Sequence, residues 1–296
     1  MPDLIYFYSE GTKVAGHWYA AEGKEPRAVV VLCNGFSAVK EMVMPDVARD
    51  LTAAGYHALA IDYRFFGDSE GEPRGRIIPI DQVRDIRAAI TYAQSRPEVD
   101  PERVALWGCS FGGGNAVYTA AHDPRVRCVV AHVGVMRGPR WLRSLRGPEQ
   151  WNQLLDRLDE DRRERVLSGK SADVRQDEIL PFDSETGPFI RKHWGKVRNL
   201  PMTVKLESAD AVLEFDPQSV IRRISPRPLL MIAVEREQIV PNEETTEAYA
   251  AAGEPKKLVW LPRRYGHWGA DVGEGLQRAV EESLAWYQEW LPPHRA

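Results

Sequence analysis

Only three cysteines occur in the 296 residues, an odd number without paired spacing. That argues against a disulfide framework and for a reducing compartment. No apolar run approaches the ~18–20 residues of a membrane-spanning helix. The N-terminal MPDLIYFYSEG has neither the basic region nor the long apolar stretch of a secretory signal. A soluble cytoplasmic protein with no membrane partner is the expectation. Charge of one sign is also missing: 39 Lys and Arg face 43 Asp and Glu, a net of -4. Such a balance offers no basic field to nucleic acid and no polybasic patch to anionic lipid. Internal repeats and low-complexity tracts are absent. His57, His122 and His132 are scattered without metal-ligand spacing, and Gly112-Gly113-Gly114 lacks the Lys and Ser/Thr of a phosphate loop. No metal and no cofactor is therefore expected. With 43% hydrophobic residues, the chain suffices for one large α/β domain, alone or with an insertion.

The stretch that organises the rest is VALWGCSFGGGNA, Val104–Ala116. An apolar run, Val104 to Trp107, turns sharply at Gly108-Cys109-Ser110-Phe111-Gly112 and continues in small, helix-compatible residues. Strand, G-x-S-x-G, helix is the sequence form of a nucleophile elbow. The sharp turn lifts the Ser110 hydroxyl out of the sheet, and its backbone demands residues without bulk two positions before and after. Gly108 and Gly112 meet that demand.

Around this stretch, apolar runs alternate with helical spacing. Leu4–Ser9 and Lys13–Ala20 suggest an edge hairpin turning at Glu10-Gly11. Arg27–Cys33, Ala58–Tyr63, Arg127–Val135, Pro228–Val234 and Lys257–Leu261 are continuous apolar runs of the kind buried on both faces of a parallel sheet. Helices are predicted at Pro45–Ala54, Asp81–Ser95, Glu243–Ala252 and Glu274–Trp290. The alternation implies a mostly parallel central sheet with helices on both faces. Residues 136–224 differ: they are dense in Arg, Asp and Glu, with scattered Trp141, Trp151, Phe182, Phe189 and Trp194. Glu149–Leu167 looks like a charged amphipathic helix, Asp183–Pro188 like a turn-rich break, and Leu206–Phe215 like a restarted helix. The expected organisation is a core of residues 1–135 and 225–296 with a helical lid or cap at 136–224.

Ligands on parallel sheets bind at the carboxyl ends of the strands, so the residues after each strand carry the chemistry. After Val29–Leu32 stands Cys33-Asn34-Gly35-Phe36-Ser37, and after the elbow strand stands Ser110. Glu235-Arg236-Glu237 follows the next run, and Tyr265-Gly266-His267-Trp268 follows the last. Nucleophile, acid and histidine thus appear in that chain order. A serine hydroxyl is a poor nucleophile at neutral pH until an imidazole takes its proton and a carboxylate holds that imidazole.

The segments NGFSAVKE, DYRFFGDSEGEPR, WGCSFGG, SPRPLLMIAVEREQIVP and RRYGHW resemble the α/β-hydrolase superfamily. The closest likeness is to its dienelactone-hydrolase and X-Pro-peptidase-like branch, which includes polyketide-transferase-like proteins. The resemblance covers Arg27–Val135 and Ser225–Trp268. It implies an α/β-hydrolase fold, Ser110 as nucleophile and His267 as general base and acid. It further implies an oxyanion hole made by the backbone N–H groups of Phe36 and Phe111, and Glu237 as the acid, placed by its spacing from Val240-Pro241. Three departures stand out. Asn34-Gly35 replaces the His-Gly of many relatives. A glutamate replaces the usual aspartate, which leaves Glu235 open as a substitute for Glu237. Phe65 stands where a glycine is expected, shaping the pocket or filling a gap. Asp62 ends a strand and is assigned to bracing the following loop.

Three functions fit these residues. The first is a serine hydrolase cleaving an ester, thioester or amide through an acyl-enzyme. The second is an acyltransferase of the polyketide-transferase type using the same residues, and the third a binding protein on the same fold that lacks catalysis. In the first two the partner is a small-molecule acyl substrate. The oligomeric state stays open, with a homodimer one option.

Overall fold

The computed structural model describes residues 2–181, 186–201, 203–235, 237 and 239–294. Strands β1 (Asp3–Ser9) and β2 (Thr12–Tyr19) form an antiparallel hairpin around Glu10-Gly11. Next come β3 (Arg27–Cys33), helix α1 (Met44–Ala53), β4 (His57–Ile61), α2 (Pro79–Gln94), β5 (Val99–Cys109), α3 (Phe111–His122) and β6 (Val126–His132). The 136–224 stretch contributes α4 (Gly138–Ser144), α5 (Pro148–Ser168), β7 (Asp173–Arg175), α6 (Gln176–Ile179), α7 (Thr186–Trp194), β8 (Thr203–Lys205) and α8 (Glu207–Leu213). The chain then returns through β9 (Leu229–Val234), α9 (Asn242–Ala251), β10 (Lys256–Leu261), α10 (Gly266–Gly269) and α11 (Gly273–Trp290).

The main sheet has eight strands in the order β1-β2-β4-β3-β5-β6-β9-β10. From β4 to β10 neighbouring strands run parallel, and only the β1–β2 and β2–β4 pairs are antiparallel. Along β3 the two-residue period of a strand assigns alternate side chains to opposite faces. Val29, Val31 and Cys33 pack with α2, α3 and α9, whereas Ala28, Val30 and Leu32 pack with α1 and α11. Both faces are covered, which is why these runs are apolar throughout rather than alternating. All three cysteines lie in this interior.

The observed elements differ from the sequence reading in three places. The strand expected over Arg127–Val135 ends at His132, because Val133 takes a left-handed φ of 43° and breaks the ladder. The break expected over Asp183–Pro188 falls partly outside the described residues, as does Phe182, while Thr186–Pro188 open helix α7 instead. The 136–224 stretch also holds a two-stranded antiparallel ribbon, β7–β8, where no strand was expected. Three-residue strands are too short to show alternation. Phe65 adopts a φ of 73°, the conformation that glycine reaches without strain. Its buried ring packs in the cluster that includes Phe36, Phe66 and Ile77.

Candidate active site

The elbow follows directly from the geometry of β5 and α3. Ser110 sits between them at φ 52° and ψ -124°, a strained conformation for a residue with a Cβ. Two glycines make the turn closable. A methyl group on Gly108 would collide with the Gly112 backbone, and one on Gly112 with the carbonyls of Cys33 and Asn34. The Ser110 amide donates to the His132 carbonyl at 2.8 Å, and its carbonyl accepts from Gly113 at 2.9 Å and Val135 at 3.1 Å. Both flanks of the serine are thereby fixed to β6 and α3.

Phe36, on the loop after β3, and Phe111, the first residue of α3, flank this serine. Neither backbone N–H makes a hydrogen bond among the described residues. For Phe111 the reason is its place at the first turn of α3, whose leading amides have no partner within the helix. The same helix end carries the positive end of the α3 dipole beside Ser110. Their rings meet edge to face at 5.9 Å, and Trp141 packs on both.

A buried ionic cluster holds the Phe36 loop from behind. The Lys40 ammonium lies 2.7 Å from each of Glu41, Asp62 and Asp68, and both Lys40 and Asp62 are fully buried. Asp62 also accepts from the amides of Lys40 (2.8 Å) and Asp68 (2.9 Å). Asn34 Nδ2 ties the start of the loop to the Ile61 carbonyl at 2.6 Å. Three carboxylates this close could hold a metal ion, but here the ammonium fills their centre. Burial works against a charged lysine, yet Asp62, Asp68 and Glu41 outweigh it and raise its pKa. Bracing by Asp62 was legible from its strand-end position; Lys40 carried no signal in the sequence.

His267 opens the short helix α10, and its Nδ1 lies 3.1 Å from Glu237 Oε2. The other Glu237 oxygen accepts the Ile239 amide at 2.8 Å. Burial disfavours the imidazolium, but Glu237 and, less strongly, Asp271 outweigh it and hold the His267 pKa above its usual value. Burial likewise disfavours charge on Glu237, and the His267 ring with the Ile239 and Val240 amides outweighs it, so that carboxyl is held low. Glu235, the open alternative, is exposed and turned to the Arg263 amide at 3.3 Å. Among the described residues no hydrogen bond joins Ser110 Oγ to the His267 ring. Such links often tighten only when substrate is bound.

A narrow cavity of about 50 Å³ opens beside Ser110 and Phe36. Ser110, Phe36, Met42 and Trp268 line it on the sheet side, and Leu180, Ile190, Trp194 and Leu200 of the 136–224 stretch line it on the other. That stretch is tethered across the cavity by polar contacts. Arg76 grips Glu207 through two hydrogen bonds of 2.8 and 3.1 Å, Ser208 Oγ accepts the Ile77 amide, and Trp268 Nε1 donates to Thr186 Oγ1. Where the stretch leaves β6, the amides of Met136 and Arg137 donate to Glu244 Oε2 at 3.0 and 3.2 Å. Burial pushes the Glu244 pKa up to about 7, against the lowering effect of those amides and of Arg140 and Arg137.

A family described as alpha/beta hydrolase fold matches residues 28–274. The chain belongs to that family. Thiohydrolase aneE of Aspergillus aculeatus is 26% identical over 316 residues, spanning 98% of this chain and 93% of that protein. Polyketide transferase grgF of Penicillium is 26% identical over 304 residues, spanning 99% and 97%. The crystal structure of the α/β hydrolase GrgF superposes with a TM-score of 0.85 at 24% identity, covering 98% of this chain and 99% of that one. Thiohydrolases and polyketide transferases therefore stand among its relatives, and an enzyme of the α/β-hydrolase class is what the family and the relatives support.

Proposed function

We propose that the chain is a serine hydrolase that cleaves an acyl thioester or ester through an acyl-enzyme. The observation that carries this reading is Ser110 held at a left-handed φ of 52° on the rim of the cavity, flanked by the Phe36 loop and the start of α3, whose Phe36 and Phe111 amides are unpaired among the described residues. Ser110 Oγ attacks the acyl carbonyl carbon while His267 Nε2 takes the hydroxyl proton. The amides of Phe36 and Phe111 receive the oxyanion; such donors contribute about 2.7–4 kcal/mol each in serine hydrolases. Collapse of the tetrahedral species breaks the bond to the leaving group, which leaves with the proton from His267. Water then attacks the acyl-enzyme, giving its proton to His267, and the acid departs as Ser110 regains that proton. Glu237 orients the ring and favours its charged form throughout. Residues 136–224 act as the lid over this reaction.

Acyl transfer is the second reading, favoured by the apolar walls of a cavity of only about 50 Å³. A closed apolar site excludes water, so an alcohol or amine that fits it would take the acyl group in place of water. Both readings require covalent labelling of Ser110 by a fluorophosphonate, detected by peptide mass spectrometry. Absence of labelling in the folded protein removes both and leaves a binding protein on the same fold. Product analysis with and without an added alcohol or amine separates hydrolysis from transfer.

A further inference from the structure

Among the described residues, the lining of the cavity contains one charged side chain, Asp271. It lies just beyond α10, four positions after His267, and only 4% of it is exposed. Its Oδ1 accepts no hydrogen bond among the described residues. The nearest donor atom is His132 Nε2 at 3.3 Å, but that nitrogen also faces the Ala270 carbonyl at 3.1 Å. The His132 ring is fully buried, and its Nδ1 has no partner. An Nε2–H directed at the Ala270 carbonyl is shared at best with Asp271. Asp271 thus stands in the cavity wall with a side-chain oxygen to which no described residue donates a hydrogen bond. Ser37, also in the lining, 3% exposed and at a φ of 54°, likewise has an Oγ without a partner among the described residues.

A buried charge that lacks a donor is costly, and folds retain it where a ligand completes it. We propose that Asp271 reads a hydrogen-bond donor, a hydroxyl or an amine, carried by the acyl group, and so selects hydroxylated or aminated acyl substrates over plain ones. This rests on the acyl-enzyme reading above. The remaining lining residues are apolar or uncharged, so a plain acyl chain would leave the carboxylate unsatisfied. A hydrogen bond to a charged group corresponds to a preference of about 10–100-fold.

The test compares kcat/KM on N-acetylcysteamine thioesters of one chain length carrying no donor, a hydroxyl or an amine. The expected result is a donor-bearing thioester favoured at least about tenfold, with that ratio falling to near one in Asp271→Leu. Retention of the hydroxyl preference in Asp271→Asn, with loss of any amine preference, identifies the hydroxyl as the group read; loss of a dominant amine preference identifies the amine. Equal wild-type rates on all three thioesters overturn the proposal. An Asp271→Leu variant that slows all three thioesters alike, leaving their ratio unchanged, overturns it too, since Asp271 would then act on the catalytic groups and not on the acyl donor. Dissociation constants of the matching N-alkyl amides on Ser110→Ala, measured by calorimetry, read the same ranking without chemistry. Failure of fluorophosphonate labelling with this ranking intact removes the serine mechanism alone; loss of the ranking with labelling intact removes the Asp271 subsite alone.

Discussion

The cavity is bounded by two regions held in different ways. On the sheet side, Ser110 is fixed by backbone: by amide–carbonyl bonds to His132, Gly113 and Val135, and by elbow glycines packed at the van der Waals limit. On the other side, residues 136–224 are held mostly through side chains, by Arg76–Glu207, Ile77–Ser208, Trp268–Thr186 and the Glu244 carboxylate, with the Lys205 amide to the Gly75 carbonyl added. Backbone restraints place a reacting atom to a fraction of an ångström and hardly depend on pH or salt. Side-chain tethers tolerate exchange, and one of them titrates. The difference assigns chemistry to the first region and fit to the second.

Substitutions of the reacting groups should act on rate, and those of the bracing and tethering groups on stability. The largest effect expected is from Ser110→Ala, a loss in kcat of about six orders of magnitude, as for triad nucleophiles generally. Retention of a rate within about tenfold of wild type, measured on any turned-over thioester, would break the assignment of chemistry to the elbow. Glu237→Gln should lower kcat by about 10⁴-fold, since the amide favours the wrong tautomer, whereas Glu235→Gln should change little. The pH profile adds a sign. His267 must be neutral to accept the proton, and Glu237 raises its pKa. The acid limb of kcat/KM in the wild type therefore lies above the ordinary histidine value and moves to lower pH in Glu237→Gln. Reversal of the two glutamates would move the acid to Glu235.

Lys40→Met tests whether the Phe36 loop is braced from behind. Removing the ammonium leaves Asp62 buried without a counter-charge, and breaking such a pair costs about 3–5 kcal/mol. Urea titration should show that loss; a variant as stable as wild type would mean that the cluster carries no load. Glu244→Gln is expected to have the smallest effect and to sharpen the contrast. The folded pKa of Glu244 is raised to about 7, above the value of an unfolded glutamate near 4.3. The stabilisation linked to its protonated form is therefore present below about pH 4 and is lost as pH rises through 7. Glutamine keeps an acceptor for the Met136 and Arg137 amides without the charge, so thermal melting should become less pH-dependent between pH 5 and 8. Parallel wild-type and variant curves across that window would show that the tether does not titrate.

Much of the core was legible in the sequence because its signals are local. β3 and β9 are continuous apolar runs, and a strand buried on both faces has no polar side to reveal. The elbow needs small residues within five positions, so G-x-S-x-G is visible without a fold. Glu237 and His267 were legible as the residues after the last two strands of the sheet, once the chain order was known. The 136–224 stretch was harder, since its ribbon and short helices lack a sustained period.

Apolar spacing and the elbow motif, then, are enough to define an α/β sheet with a serine at the end of its central strand. The tertiary structure decided which polar groups meet there. Lys40 reaches Asp62 from 22 positions away, Met136 reaches Glu244 from 108, and His132 lies beside Asp271 on the cavity wall. No periodicity links such residues. They meet because β3 lies between β4 and β5, and β6 between β5 and β9, which gathers strand ends remote in the chain at one edge of the sheet. Burial at that edge turns ordinary Asp, Glu and Lys side chains into paired or ligand-seeking ones, since a charge removed from water must find a partner in the fold or in the substrate.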